Sequence, residues 1–137
     1  SMKKSLLIFL LVFISAVAVA SDRKNNRKED KKADSVPVYI WGVSMSFSDS
    51  TVYFTEIQEL DSVVLQNGAL PHLQYYSYEL KDYMSFEENM PGRISVIYFN
   101  EKRSKLEKKE LKVKKHLIEK EGKTVRYLGD KFKFVKP

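Results

Sequence analysis

No cysteine occurs among the 137 residues, so a fold built from this chain is held by apolar packing with no covalent staple. The means are present: eight Tyr, eight Phe and one Trp, each able to remove a large area from water when buried. The missing cysteines matter because the amino end reads as an export signal, and small exported domains commonly rely on disulfides. Ser1 precedes Met2 and reads as a remnant of expression. Lys3 and Lys4 form a positive head. Leu6 to Val19 then runs for 14 residues with one polar residue, Ser15, and Ala18-Val19-Ala20 is a small-x-small site before Ser21. That order describes a signal peptide over 1–20, cut between Ala20 and Ser21, with release to the periplasm or beyond. The apolar run is short of the ~20 residues a spanning helix needs, which argues against a retained anchor. Without cysteine, a lipoprotein anchor is excluded.

Charge is unevenly spread. Residues 21–36 are almost wholly polar, with six basic and four acidic side chains. Such a segment cannot offset its ordering entropy by burial, so a disordered arm is expected over 21–36 and one globular domain over 37–137. From Pro37 to Phe99 there are two basic and eight acidic residues; from Asn100 to Pro137 there are fourteen basic and six acidic. The two halves of the domain can therefore attract each other.

The hydrophobic pattern sets the elements. Val38 to Phe47 alternates, with Tyr39, Trp41, Val43, Met45 and Phe47 on one face, which predicts a strand. After the turn cluster Ser48-Asp49-Ser50, Thr51 to Ile57 predicts a second strand and a hairpin. Gln58 to Leu73 fits either an extension of that strand or a short helix, with Asn67-Gly68 as a turn and Pro71 as a breaker. Tyr76, Leu80, Tyr83 and Met84 share a face at helical spacing, predicting a helix over Gln74 to Phe86. Ile94 to Phe99 is nearly continuous apolar sequence, the mark of a buried strand. A second helix is expected over 101–121, with Asn100 as N-cap, Leu106, Val113 and Leu117 as its apolar stripe, and Gly122 at its end. Thr124 to Leu128 and Lys131 to Val135 read as strands. The expected fold is α/β, with α+β as the alternative: a sandwich with a four- to five-stranded mixed sheet and two helices in the order ββαβαβ, both helices lying on one face.

Tyr39-Ile40-Trp41-Gly42-Val43, the run from Ser46 to Thr55, the run from Tyr76 to Tyr83 and the lysine-rich helix together resemble a family of short, signal-bearing, exported bacterial proteins of unknown function. The resemblance covers most of Val38 to Val135. It implies export and names no activity, so it carries no catalytic or binding residue onto this chain. The charged arm before Val36 departs from the family's pattern.

Few chemistries have the residues they need. Nucleophilic catalysis would use Ser or Thr with His72 or His116 as base, and no G-x-S-x-G elbow is present. His72, in a loop after Pro71, is the better candidate for a small hydrolase working with a nearby carboxylate. Two His far apart in sequence do not make a zinc site, the acidic clusters are too thin for calcium, and scattered glycines form no phosphate cradle. No metal or cofactor is expected. Glu56, Glu59 and Asp61 are close enough to pair for acid–base work, although charges that protect an edge strand are the commoner explanation.

Two features remain. One is an aromatic group, Trp41, Tyr75, Tyr76 and Tyr78, of which at least one tyrosine near the first helix must be exposed and could stack on a sugar or anchor a protein. The other is the basic helix 101–121, where Lys105, Lys108 and Lys112 stand for a lysine-rich surface suited to phosphates, an anionic envelope surface or an acidic partner. Solvation by i, i+4 pairs such as Glu101–Lys105 is the plainer account. Export argues against nucleic acid. The expectation is an exported binding module whose partner is an envelope protein or glycan. One rival is the His72 hydrolase; the other is a protein held to anionic lipid or polysaccharide by the basic helix.

Overall fold

The structure, a computed structural model, describes residues 35–137. The expected signal peptide and the expected arm up to Asp34 lie outside the described residues. Backbone pairing begins at Val36, inside the segment expected to be an arm, because Val36 faces Val63 across the sheet. The elements are β1 (Val36–Met45), β2 (Thr51–Phe54), β3 (Gln58–Val63), α1 (Leu73–Phe86), β4 (Ile94–Asn100), α2 (Arg103–Glu119) and β5 (Thr124–Tyr127). A 3-10 turn, Gly129–Lys131, follows. Five strands form one mixed sheet with two helices, as the sequence pattern predicts.

β1 is the spine. Along one edge it pairs antiparallel with β2 (Val43 opposite Phe54) and with β3 (Ile40 opposite Gln58). β2 and β3 thus lie end to end, and the ambiguous segment from Gln58 resolves as a continuation of the second strand. The register slips by one residue between them. At the slip Thr55 serves Gly42 twice: its amide donates to the Gly42 carbonyl at 2.9 Å, and its hydroxyl accepts the Gly42 amide at 2.9 Å. A side chain thereby stands in for a missing backbone acceptor, and both the amide and the carbonyl of Gly42 stay paired at this bulge. Asn67 and Gly68, both at positive φ, then make the expected turn, closed by reciprocal 2.9 Å bonds between Gln66 and Ala69.

β4 pairs with the other edge of β1, antiparallel over seven residues from Ile94 opposite Met45 to Asn100 opposite Tyr39. β5 runs parallel to β2. β3 and β4 are therefore parallel to each other, as are β4 and β5, and each pair is joined through a helix. The first connection crosses the sheet towards β4 and the second returns. Two connections of one hand travelling in opposite directions fall on opposite faces. The helices accordingly do not share a face as expected; α1 covers one side and α2 the other.

The two cores follow the pleat. Even-numbered residues of β1, Val38 and Ile40, pack with Leu60, Leu80, Met84, Phe132 and Phe134 under α1. Odd-numbered Trp41 and Val43 pack with Val52, Phe54, Leu106 and Leu117 under α2. Gly42 belongs to the α1 side. A Cβ there would lie 2.8 Å from Leu80 Cδ2 and 3.0 Å from Phe134 Cζ, so its missing side chain lets the helix and the C-terminal segment close onto the sheet. Phe47, expected to continue the apolar face of β1, instead sits in the turn and is 95% exposed.

Arg93 fastens the β1–β2 hairpin from beneath. It is 3% exposed, donates to Ser44 Oγ (2.9 Å), the Ser44 carbonyl (3.1 Å) and the Thr51 carbonyl (2.6 Å), and reaches half-exposed Asp49 at 3.2 Å. A planar guanidinium is the side chain that can serve such a divided set of acceptors.

Three boundaries differ from the expectation. The second helix starts from Lys102 as N-cap, while the Asn100 side chain accepts the Lys102 amide at 2.9 Å just ahead of it. Lys131 to Val135 is not a strand. The Gln58 side chain holds that segment instead, donating to the Phe132 carbonyl (3.1 Å) and accepting the Phe134 amide (2.7 Å). β4, read as a buried strand, is a sheet edge: it pairs with β1 alone among the described strands.

Candidate functional site

The amphipathic period of α2 decides which of its charges can act together. Leu106 and Leu117 point into the core with Val113 beside them, so residues to either side of that stripe form two flanks. Lys105, Lys108, Lys109, Lys112, Lys115, His116 and Lys120 fall on one flank, with Glu119 the one acid among them. Arg103, Glu107, Glu110 and Lys114 fall on the other. The sequence pattern spread the lysines around the helix; the structure gathers them to one side.

That basic flank overhangs β4. Lys109, Lys112 and His116 line a groove of about 380 Å³ together with Met45, Tyr98, Val113, Leu117 and Glu121. Tyr98 forms its floor. The ring stacks on Trp41 (centroids 4.6 Å apart, planes at 22°), and the Lys109 ammonium stands 5.8 Å from its centroid. Burial raises the phenol's pKa above its ordinary value, so it stays neutral and able to donate at physiological pH. His116 Nε2 contacts Glu121 at 3.1 Å. A second depression, lined by Lys112, Lys115, His116, Glu119 and Lys120, continues along the helix. The combination of aromatic floor, apolar wall and ammonium rim suits an anionic ligand with some flat or apolar surface.

The opposite flank is also hollowed, over about 330 Å³, and Glu56, Ile57, Arg103, Glu107, Glu110 and Tyr127 line it. Here the charges are matched internally. Arg103 meets Glu107 at 3.3 Å. Burial raises the Glu110 carboxyl, and burial together with Glu110 pushes the Tyr127 phenol up to about 12. Of the three carboxylates singled out in sequence, Glu56 faces this hollow, while Glu59 and Asp61 neighbour each other on β3, and the Asp61 carboxyl is the chief cause that raises the Glu59 pKa. No group of three or more potential metal ligands is found among the described residues.

The remaining sequence candidates separate. Trp41 is fully buried beneath Tyr98, and Tyr76, on the inner side of α1, is 2% exposed; the two lie on opposite sides of the sheet. Neither presents a ring to a ligand, and the single aromatic surface expected of Trp41, Tyr75, Tyr76 and Tyr78 does not form. Tyr75 and Tyr78 are exposed on α1, and the Tyr78 hydroxyl accepts from Gln74 at 2.8 Å. His72 is the left-handed N-cap residue of α1 (φ 62°) and lines a hollow of about 290 Å³ with Ser62, Gln66, Tyr76 and Lys136 among others. No carboxylate side chain lines that hollow, so the expected His72–carboxylate pair is not assembled there. Lys105 and Lys108 are exposed on the basic flank without lining the groove, and Lys112 lines it.

Sequence reasoning gave Tyr98 and Met45 no place in a site, counted Lys109 only within the basic helix, and considered His116 only as a base. The available signal was Tyr98 itself, a hydroxyl-bearing ring inside an otherwise apolar strand and two residues from Val96 on the same face. Comparisons with known protein families, with curated proteins and with solved structures give no match. The groove therefore has to be read from its own chemistry.

Proposed function

We propose that this chain is an exported binding module, with no catalytic centre of its own, that engages an anionic partner through the groove between α2 and β4. The leader over residues 1–20 supports export. Among the described residues no helix is long and apolar enough to cross a membrane. One observation carries the binding reading: six lysines and His116 share one flank of α2 against Glu119 on the helix and Glu121 just beyond it, and that flank overhangs an aromatic floor. Lysines spread for solubility alone would have no reason to leave the opposite flank mixed and internally paired.

The test uses two immobilised polyanions, poly-L-glutamate and polygalacturonate, at low and moderate salt. The purified protein is expected to bind at least one, more weakly as salt rises, because rim charges are screened over about 10 Å at 0.1 M. Lys109→Glu with Lys112→Glu is expected to weaken binding by about tenfold or more. Charge reversal of Lys114, on the other flank, is expected to leave it within about twofold. Retention of neither polyanion, or equal effects from the two flanks, would overturn the reading.

A further inference from the structure

The strand Ile94-Ser95-Val96-Ile97-Tyr98-Phe99-Asn100 contains no charge, no proline and no glycine, and its pairing with β1 is an unbroken seven-residue register. The direction of its backbone groups follows from Gly42. Gly42 directs its amide and carbonyl to Thr55 on the β2 side, so its neighbours Trp41 and Val43 direct theirs to β4. The β4 residues that complete those pairs are Ile94, Val96, Tyr98 and Asn100. Ser95, Ile97 and Phe99 therefore turn their amides and carbonyls outward. The Ser95 carbonyl accepts the Ser77 hydroxyl at 3.3 Å; no other strand pairs with this edge among the described residues.

Other edges of this sheet carry the usual protection. β5 has four residues, including Arg126, and β3 carries Glu59 and Asp61, with the Gln58 side chain tied to the C-terminal segment. β4 has none of these devices, and an edge that is long, regular and apolar is a template for another strand.

We infer that β4 accepts a further strand, and that this strand is an extended acidic segment of a partner protein whose alternate side chains lie beneath Lys109, Lys112 and His116. The inference rests on the anionic-partner reading and names the partner's chemistry. In an added strand every second side chain points to the α2 side, where the ammonium rim and Tyr98 wait. The intervening side chains point to the α1 side, beside Ser77. A second copy of this chain is a poor occupant. Antiparallel pairing of two β4 edges sets both copies of α2 on the same face with their basic flanks opposed, a like-charge contact that costs affinity. The chain's own segment 21–34 holds six basic against four acidic residues and matches no better.

The experiment uses a peptide of about nine residues alternating glutamate and valine, long enough to span a seven-residue edge. Two derivatives are N-methylated, one at the glutamates and one at the valines. In an extended peptide each alternate set of amides points to one side, so only one set can face β4. The parent peptide is expected to bind, one derivative to lose about tenfold or more, and the other to bind nearly as the parent does. In the complex, the amides of Ser95, Ile97 and Phe99 should become protected from hydrogen exchange. Ser95→Pro removes an outward amide without removing a bond to β1, and should weaken peptide binding while leaving polygalacturonate retention unchanged. Should that variant fold poorly, the methylated pair decides alone. Equal binding of both derivatives overturns strand addition and leaves the anionic-partner reading standing. Binding of a serine-for-glutamate peptide as tight as the parent's overturns the acidic partner. Failure of every peptide and both polyanions removes the two readings together.

Discussion

Replacing Arg93 with Met keeps most of the buried stem and removes the guanidinium. Three hydrogen bonds disappear, to Ser44 Oγ and to the Ser44 and Thr51 carbonyls. Bonds from a charged donor contribute about 1.5–3 kcal/mol each. Against that gross loss of about 5–9 kcal/mol stands the desolvation cost of a cation that is 3% exposed, which is several kcal/mol and is recovered by the variant. The Ser44 hydroxyl, left without its partner, adds to the loss because it remains buried. The net expectation is a destabilisation of about 3 kcal/mol, or roughly 12 °C in Tm for a domain of this size. Urea unfolding followed by tryptophan fluorescence measures it, since Trp41 lies in the sheet. The Asp49 contact is a separate matter. That carboxylate is 52% exposed, and a pair so solvated contributes little, so Asp49→Asn should cost less than about 0.5 kcal/mol. An Asp49→Asn loss as large as that of Arg93→Met would refute the reasoning, because it would make the ion pair, rather than the backbone carbonyls, the object of the guanidinium.

Two further outcomes follow from packing and ionisation. Gly42→Ala would ordinarily stabilise a strand by about 0.5–1 kcal/mol, but its Cβ meets Leu80 at 2.8 Å, Phe134 at 3.0 Å and Ile97 at 3.3 Å; overpacking wins, with a net loss of about 1–3 kcal/mol and an unchanged m-value in denaturant unfolding. A neutral or stabilising result would contradict the close approach. Tyr127, pushed up to about 12 by burial and Glu110, should ionise late in an ultraviolet titration together with Tyr83, which burial and Glu88 also push up to about 12, and Tyr127→Phe should shrink that late component while Tyr83 keeps the rest. The folded pKa of Tyr127 is raised, so its contribution to stability is full below the ordinary tyrosine value and is lost as pH climbs towards 12. The Glu110 carboxyl is raised as well, chiefly by burial; its contribution is full in acid and falls as pH rises through its titration, so Glu110→Gln should remove that decline and gain stability relative to the parent above the titration compared with below it.

What the sequence conveyed depended on whether a signal was local. Period-2 alternation from Val38 and helical spacing from Tyr76 and from Leu106 placed β1, α1 and α2, and Asn67-Gly68 gave its turn. Long-range facts were not legible. Ile94 to Phe99 reads the same whether a strand lies on both sides or on one, and only the sheet order makes it an edge. The faces taken by the helices required the direction in which each connection crosses the sheet. Lys131 to Val135 has a strand-like composition, yet Gln58, far off in sequence, holds it in place of a ladder. At the site, lysine abundance was visible but its one-sidedness was not, because the pattern left Val113, Leu111 and Ile118 all available to the apolar stripe. In the structure Leu111 and Ile118 are exposed. Trp41 illustrates the opposite error: the most conspicuous ring in the sequence supports the groove from behind.

Hydrogen exchange along β4 in the free protein tests the sheet arrangement from which the binding account starts. Val96, Tyr98 and Asn100, bonded to β1, should exchange slowly, while Ser95, Ile97 and Phe99 between them exchange fast, giving a strict alternation. Uniform slow exchange across the strand would mean that its outer side is already paired, and there would be no open edge to receive a partner.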